Sequence, residues 1–374
     1  MKYFIVVGEP SGDLHGSNLM RGLQAEDSEA QFRFWGGDKM AEVGGTKNLA
    51  KHYRETSFFG IVQVLRNLKT IFGQIDECKR DIEVYNPDVL ILIDYPSFNM
   101  RIAKWAKERG IKVYYYIAPK VWAWKEWRVK EIRKYVDRLY TIFPFETEYF
   151  RSKGIEPVFC GNPLCDSIAQ YKEKMPSREE FLREGGLDER PIVALLAGSR
   201  RSEIKDNLAD MIAISQNFPE YQFVVAAVPW IEKELYDRVL AGTTVKFVSN
   251  KTYDTLIYAE AAIVTSGTAT LETALIGTPE IVMYHIPKLY EILRPIVLKI
   301  PYISLVNINL NRECVREIVV NKIDVVAVSE ELRSILNGGS KRAKMQAEFA
   351  ELREMMGGEG SSHRVAQDIV KSLK

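Results

Sequence analysis

Short apolar runs that stop at a glycine-, serine- or aspartate-bearing turn and give way to a helical pattern recur along this chain in two series. The first series is Tyr3–Val7, Phe32–Trp35, Val89–Ile93, Val113–Ile117 and Leu139–Ile142. The second is Ile192–Leu196, Phe223–Ala227, Val245–Val248, Ala262–Val264 and Ile281–Tyr284. Strands alternating with helices imply parallel, doubly wound sheets. Met175-Pro176-Ser177 and Gly185-Gly186 punctuate the middle. At 374 residues the chain exceeds one ordinary domain. The expected fold class is therefore α/β, with two Rossmann-like, doubly wound parallel-sheet domains facing a central cleft. The expected domains are residues 1–170 and 171–345.

In open α/β sheets, ligands sit beyond the C-terminal ends of the strands. The candidate residues at those ends are Gly8–Asp13 and Asp94 in the first half. In the second half they are Gly198-Ser199-Arg200 and Ser266–Glu272.

The segment AAIVTSGTATLE, Ala261–Glu272, is the sharpest of these. A buried strand would end at Ser266-Gly267-Thr268, where hydroxyls, backbone N–H groups and a helix N-terminus converge. Such a point attracts phosphate, and Glu272, one turn on, could accept hydrogen bonds from a ribose. The same pattern also caps an ordinary helix. Arg200, after Gly198-Ser199, could clasp a diphosphate through paired hydrogen bonds, while Glu203 stands where a capping box would place it.

Asp94 closes the run VLILID. A carboxylate there can be a general base with a pKa raised by burial, or else a helix cap or a ribose ligand. Glu9 and Asp13 flank a glycine-rich turn. Gly8, Gly12 and Gly16 are spaced by four, so neither the dinucleotide fingerprint nor the P-loop is present. Residues 58–75, FFGIVQVLRNLKTIFGQI, form a helical pattern with apolar Ile61, Val62, Leu65, Leu68 and Phe72. That face either packs on the core or lies on a membrane or acyl chain. Trp122, Trp124 and Trp127 crowd Pro119–Arg128 and could stack on sugars or seal a core.

Composition narrows the classes. The formal net charge is +1, so no global field recruits nucleic acid. The four cysteines form no C-x-x-C pair or zinc spacing, the pattern of reduced cytoplasmic thiols. The four histidines are scattered. No signal peptide and no run of membrane-spanning length is evident. No D-x-D occurs, so N–H groups and arginine rather than a metal would face a diphosphate, and no cofactor is implied.

Together these motifs resemble the lipid-A-disaccharide synthases, inverting glycosyltransferases of the GT-B architecture. The resemblance rests on GEPSGD (Gly8–Asp13), LIDYPSFN (Leu92–Asn99), APKVWAWKEWRVKEI (Ala118–Ile132), LAGSRRSEI (Leu196–Ile204), TSGTATLE (Thr265–Glu272) and YISLVNI (Tyr302–Ile308). It implies transfer of 2,3-diacylglucosamine from UDP-2,3-diacylglucosamine to 2,3-diacylglucosamine 1-phosphate (lipid X). Asp94 would be the general base and Glu9 a second essential carboxylate. Gly198, Ser199, Arg200, Ser266, Gly267, Thr268, Glu272 and Asn307 would bind UDP. Gly12, Asp13, Trp122 and Trp124 would belong to the acceptor loops. Ile61, Val62, Leu65, Leu68 and Phe72 would meet acyl chains or the cytoplasmic face of the inner membrane. A final helix, 346–374, would return to the first domain. Lys120 stands where the family commonly has glutamine, and LVNINLNRE departs from the usual LPN-type loop.

Two rivals use the same scaffold: a UDP-N-acetylglucosamine 2-epimerase and a peptidoglycan-type N-acetylglucosaminyltransferase. Both would be expected to lack the PxVWAW and GEPSGD pair. A catalytically dead membrane-binding module would not need the acid at Asp94. The chain alone leaves the choice between monomer and homodimer open.

Overall fold

A computed structural model describes residues 1–56, 68–123, 125–265, 267–286 and 301–374. The contacts divide the chain into two compact units. One is Met1–Ser167 with Met356–Lys374, and the other is Ile168–Met355.

The first unit holds a seven-stranded parallel sheet in the order β3-β2-β1-β4-β5-β6-β7. Its strands are β1 (Lys2–Val6), β2 (Gln31–Gly36), β3 (Leu49–His52), β4 (Val89–Ile93), β5 (Val113–Tyr116), β6 (Arg138–Thr141) and β7 (Val158–Phe159). Every residue of β1 after Lys2, and all of β4 and β5, is buried, as expected of strands covered on both faces. One face packs Phe4, Trp35, Leu90, Leu92 and Tyr115 against helices 68–85 and 96–107. The other packs Ile5, Phe34 and Ile91 against Leu19 and Leu23 of helix Pro10–Glu26 and against the terminal helix Ser361–Leu373.

That terminal helix is tied in by polar contacts as well as by Val365, Ile369 and Val370. The Asp166 carboxylate accepts from the N–H groups of Gly360, Ser361 and Ser362, capping its N-terminus. Arg138 makes two parallel 2.6 Å bonds to Asp368, the strong geometry for this pair. The preceding helix, Arg342–Met355, belongs to the second unit, so the return begins at Met356 rather than at 346.

The second unit holds a six-stranded parallel sheet in the order β10-β9-β8-β11-β12-β13. Its strands are β8 (Ile192–Leu196), β9 (Gln222–Ala227), β10 (Lys246–Ser249), β11 (Ala259–Val264), β12 (Glu280–His285) and β13 (Arg316–Val320). All ten strand-like runs read from the sequence are strands. Each half is α/β and doubly wound.

Strand order locates the functional end of each sheet. In the first, chain progression reverses between β1 and β4, and in the second between β8 and β11. A crevice opens at such a switch point, beyond the strands' C-terminal ends. Gly8-Glu9 and Asp94 follow β1 and β4. Gly198–Arg200 and Thr265–Thr268 follow β8 and β11.

Candidate active site

At the first switch point the backbone is built under strain. Asp94 and Tyr95 are consecutive non-glycine residues in the left-handed region, with φ of 46° and 47°. Such residues persist only where the surroundings over-determine them. Here the Asp94 N–H donates to the Tyr116 carbonyl at 3.1 Å. The Tyr115 hydroxyl and the Asn99 amide both donate to the Asp94 carbonyl. Pro96 then starts helix Pro96–Lys107 with its φ already suited to the first helical turn. Tyr95 stacks on Phe98 with ring centroids 5.3 Å apart. Its other neighbour is Gly8, where a Cβ would lie 2.3 Å from Tyr95 Cγ. The first glycine of GEPSGD therefore makes room for an aromatic ring.

The elbow leaves the Asp94 carboxyl part-buried. Burial, with the negative charge of Glu9 second, pushes its pKa up to about 6. Lys120 and the Tyr95 N–H oppose the shift. A carboxylate with affinity near neutrality is suited to take a proton from a hydroxyl. Glu9 is the extended residue before helix Pro10–Glu26 and accepts the Ser11 hydroxyl at 2.7 Å.

The other residues of that turn have a different role. Asp13 is buried, and its carboxylate accepts from the N–H groups of Gly37, Lys39 and Met40 at 2.8, 3.0 and 3.1 Å. It caps helix Asp38–Gly44 from a distance and so frames the loop. A Cβ on Gly12 would sit 3.0 Å from the Val7 Cβ, so Gly12 too serves packing.

One strand over, the loop after β5 carries Trp122. Its indole N–H donates to Glu146 Oε1 at 3.0 Å, and the Ile142 N–H donates to Oε2 at 3.2 Å. Glu146 is completely buried. Burial pushes its pKa up to about 7 against the pull of those donors and of Lys120. The burial of Glu146 was not legible in the sequence, since a glutamate in the first turn of helix Pro144–Ser152 reads as ordinary helix polarity. Trp124 lies outside the described residues.

At the second switch point, Gly198 adopts φ +112°, and a Cβ there would sit 2.8 Å from the Glu203 Cβ. Glu203 accepts from the Ser199 N–H at 3.1 Å and from Arg200 Nη1 at 2.6 Å. The Arg200 side chain is 76% exposed. It is therefore aimed by Glu203 while its remaining donors face outward. The Asn207 amide bonds both the Ala197 carbonyl (3.0 Å) and the Thr265 hydroxyl (3.2 Å), stitching the two turns together.

After β11, Gly267 (φ +145°) precedes helix Thr268–Ile276, and Gly267 and Thr268 are exposed. This helix N-terminus is electropositive by its dipole. Ser266 lies outside the described residues. Glu272 sits one turn in, accepts the Tyr253 hydroxyl at 2.8 Å, and has its pKa raised by burial.

Asn307 requires a correction. It is fully buried. Its Nδ2 donates to Val315 O and Glu317 Oε1, and its Oδ1 accepts from the N–H groups of Cys314 and Val315. That uses the two donors and two lone pairs of the amide, leaving nothing for UDP. Asn307 instead closes the loop between helix Leu305–Leu310 and β13. Asn307→Ala is expected to cost about 2–4 kcal/mol of stability. Chemical denaturation checks this, and the donor KM of the folded fraction should be unchanged.

Phe72 lies on helix Leu68–Tyr85. It is half exposed, with the Arg101 guanidinium 4.9 Å from its ring. Leu68 opens that helix. Ile61, Val62 and Leu65 lie outside the described residues. Among the described residues no helix is long and apolar enough to cross a membrane, and no three His, Cys, Asp or Glu side chains are placed to hold a metal ion.

Comparison with known proteins places the chain in a family. The family model described as lipid-A-disaccharide synthetase matches residues 3–370. The lipid-A-disaccharide synthase of Syntrophus aciditrophicus is 34% identical over 99% of this chain and 97% of its own length. That of Geobacter metallireducens is 35% identical over 100% and 97%. Among solved structures, the UDP-GlcNAc 2-epimerase of Neisseria meningitidis, bound to UDP-GlcNAc, matches with a TM-score of 0.69. It is 12% identical and covers 99% of this chain and 100% of its own. A UDP-GlcNAc 2-epimerase of Methanocaldococcus jannaschii matches at 0.61 and 14% identity, over 100% and 99%. At such identities the epimerases share the fold alone. The sequence match spans both switch points, and on it the chain belongs to the lipid-A-disaccharide synthetase family.

Proposed function

We propose that this protein transfers 2,3-diacylglucosamine from UDP-2,3-diacylglucosamine to 2,3-diacylglucosamine 1-phosphate, releasing UDP with inversion at the anomeric carbon. Family membership over residues 3–370 carries the reading. The geometry supports a role for each residue. Asp94 takes the proton of the acceptor hydroxyl as its oxygen bonds to the anomeric carbon and the bond to UDP breaks. Burial first and the charge of Glu9 second keep the proton affinity of Asp94 high, and Glu9 stands beside the reacting sugars. Arg200 and the Ser266–Thr268 turn meet the charge developing on UDP, where preorganised donors act most strongly. Glu272 accepts from the ribose. In this reading the first unit takes the acceptor and the second takes UDP.

Both substrates carry acyl chains, which suits work at a lipid surface, and in this reading that surface is the cytoplasmic face of the inner membrane. In this reading Phe72, on helix Leu68–Tyr85, faces that surface. The half-exposed Phe72 ring beside Arg101 supports this, an aromatic–cation pair suited to an anionic lipid interface.

Two reactions run side by side test the proposal. Wild-type protein with both lipid substrates in detergent, with and without chelator, is expected to yield disaccharide 1-phosphate by mass spectrometry. With UDP-N-acetylglucosamine alone it is expected to give no 2-epimer by NMR. Epimer without disaccharide would overturn the reading in favour of the epimerase.

A further inference from the structure

The loop after β5 is held by a buried carboxyl that the roles above leave unused. Glu146 has no exposed surface, and burying an ionisable group costs free energy unless its bonds are made. Both its oxygens are engaged, one by the Trp122 indole N–H and the other by the Ile142 N–H. Trp122 meets Phe145 edge-on at 4.9 Å, and Phe145 stacks on Phe143 at 5.5 Å. The indole is thus fixed at its nitrogen by Glu146 and at its ring by Phe145, and it stays part-exposed. Strand β5 pairs directly with β4, Tyr116 opposite Ile93, the residue before Asp94. The Trp122 loop therefore leaves the sheet next to the Asp94 elbow. The charge of Lys120, in the same loop, acts on both Asp94 and Glu146. A part-exposed, immobilised indole is suited to pack on the apolar face of a sugar ring or the start of an acyl chain.

We propose that Glu146 is a positioning residue of the acceptor subsite, holding Trp122 as the platform on which the acylated glucosamine acceptor rests beside Asp94. The inference depends on the transferase reading above. It adds a residue to that site and names what the residue acts through.

Glu146→Leu, Glu146→Gln, Trp122→Phe and the Glu146→Leu/Trp122→Phe double variant are compared with wild type for acceptor KM, donor KM, kcat and melting temperature. Loss of a charge-assisted hydrogen bond is expected to raise the acceptor KM about tenfold in Glu146→Leu, leaving the donor KM within twofold. Glu146→Gln keeps an acceptor for the indole and is expected to fall between Glu146→Leu and wild type. If Glu146 acts through Trp122, adding Glu146→Leu to Trp122→Phe changes the acceptor KM by less than twofold, a non-additive cycle. The Trp122 contribution to fluorescence is wild type minus Trp122→Phe in one background and Glu146→Leu minus the double variant in the other, and it should lie further to the red in the second.

Multiplying effects on acceptor KM would overturn the proposal. So would a Glu146→Leu protein that melts lower but keeps the wild-type acceptor KM, which marks Glu146 as a core group only. A wild type that makes no disaccharide overturns the transferase reading itself. In that case the fluorescence comparison still decides whether Glu146 holds Trp122.

Discussion

Asp94→Asn is expected to lower kcat by about 10²–10⁴-fold, the range for loss of a general base, with both KM values within a fewfold of wild type. Wild-type kcat should fall as pH drops through about 6, because Asp94 must be ionised to accept the proton. Stability should move the opposite way from activity. The folded pKa of about 6 lies above the unfolded value of about 3.9 for aspartate. Between these values the folded state binds more protons than the unfolded state, so stability falls as pH rises through that window. A neutral amide in place of the carboxyl carries no such penalty. The Asp94→Asn variant is therefore expected to exceed wild type by about 1–3 kcal/mol at pH 7.5, the upper figure being the full shift before discount for partial exposure. The two should converge near pH 4. Denaturation at the two pH values, beside a kcat profile, checks both halves. An unchanged kcat would remove Asp94 from the chemistry.

Gly8→Ala is expected to damage both stability and turnover. The added Cβ would lie 2.3 Å from Tyr95 Cγ and 2.4 Å from its Cδ1, distances no real Cβ contact tolerates. The ring cannot simply retreat, because it stacks on Phe98 and belongs to a left-handed residue whose neighbour is Asp94. The displacement is passed to the elbow. Misplacing a reacting group by about 1 Å costs about 10²-fold in rate, and overpacking costs about 1–3 kcal/mol. Shrinking the opposing ring supplies the control. Tyr95→Ala in the Gly8→Ala background should recover much of the lost stability and at least tenfold in kcat. If Gly8→Ala alone retains wild-type kcat, the elbow does not depend on Gly8.

The alternation of apolar runs and turns made both sheets legible, because parallel strands covered on two faces are continuous hydrophobic segments. The strands missed were β3, β7 and β13, with sequences LAKH, VF and REIVV. All three lie at sheet edges, where one side needs no partner and polar residues are tolerated. The switch-point turns were legible for the same reason as the strands they follow.

The wiring of individual side chains was not legible. Asp13 and Asn307 look like ligand residues because short polar side chains in glycine- or asparagine-rich turns often are. Their partners, Gly37–Met40 for one and Cys314–Glu317 for the other, come together only in the fold. Glu146 shows the converse case: a residue that looks like helix polarity is a buried anchor for Trp122. The left-handed pair Asp94-Tyr95 carries no glycine to announce it. Its strain depends on Tyr115, Tyr116 and Asn99, which ordinary pattern reading assigns to a strand and a helix.

Hydrogen exchange in the presence of each substrate alone tests most directly the claim that the two switch points divide the reaction between them. The account predicts that UDP slows exchange in residues 198–203 and 267–272 and leaves residues 8–13 and 94–99 unchanged. It predicts the reverse pattern for 2,3-diacylglucosamine 1-phosphate in detergent. Protection of residues 8–13 by UDP, with none at 198–203 and 267–272, would contradict it.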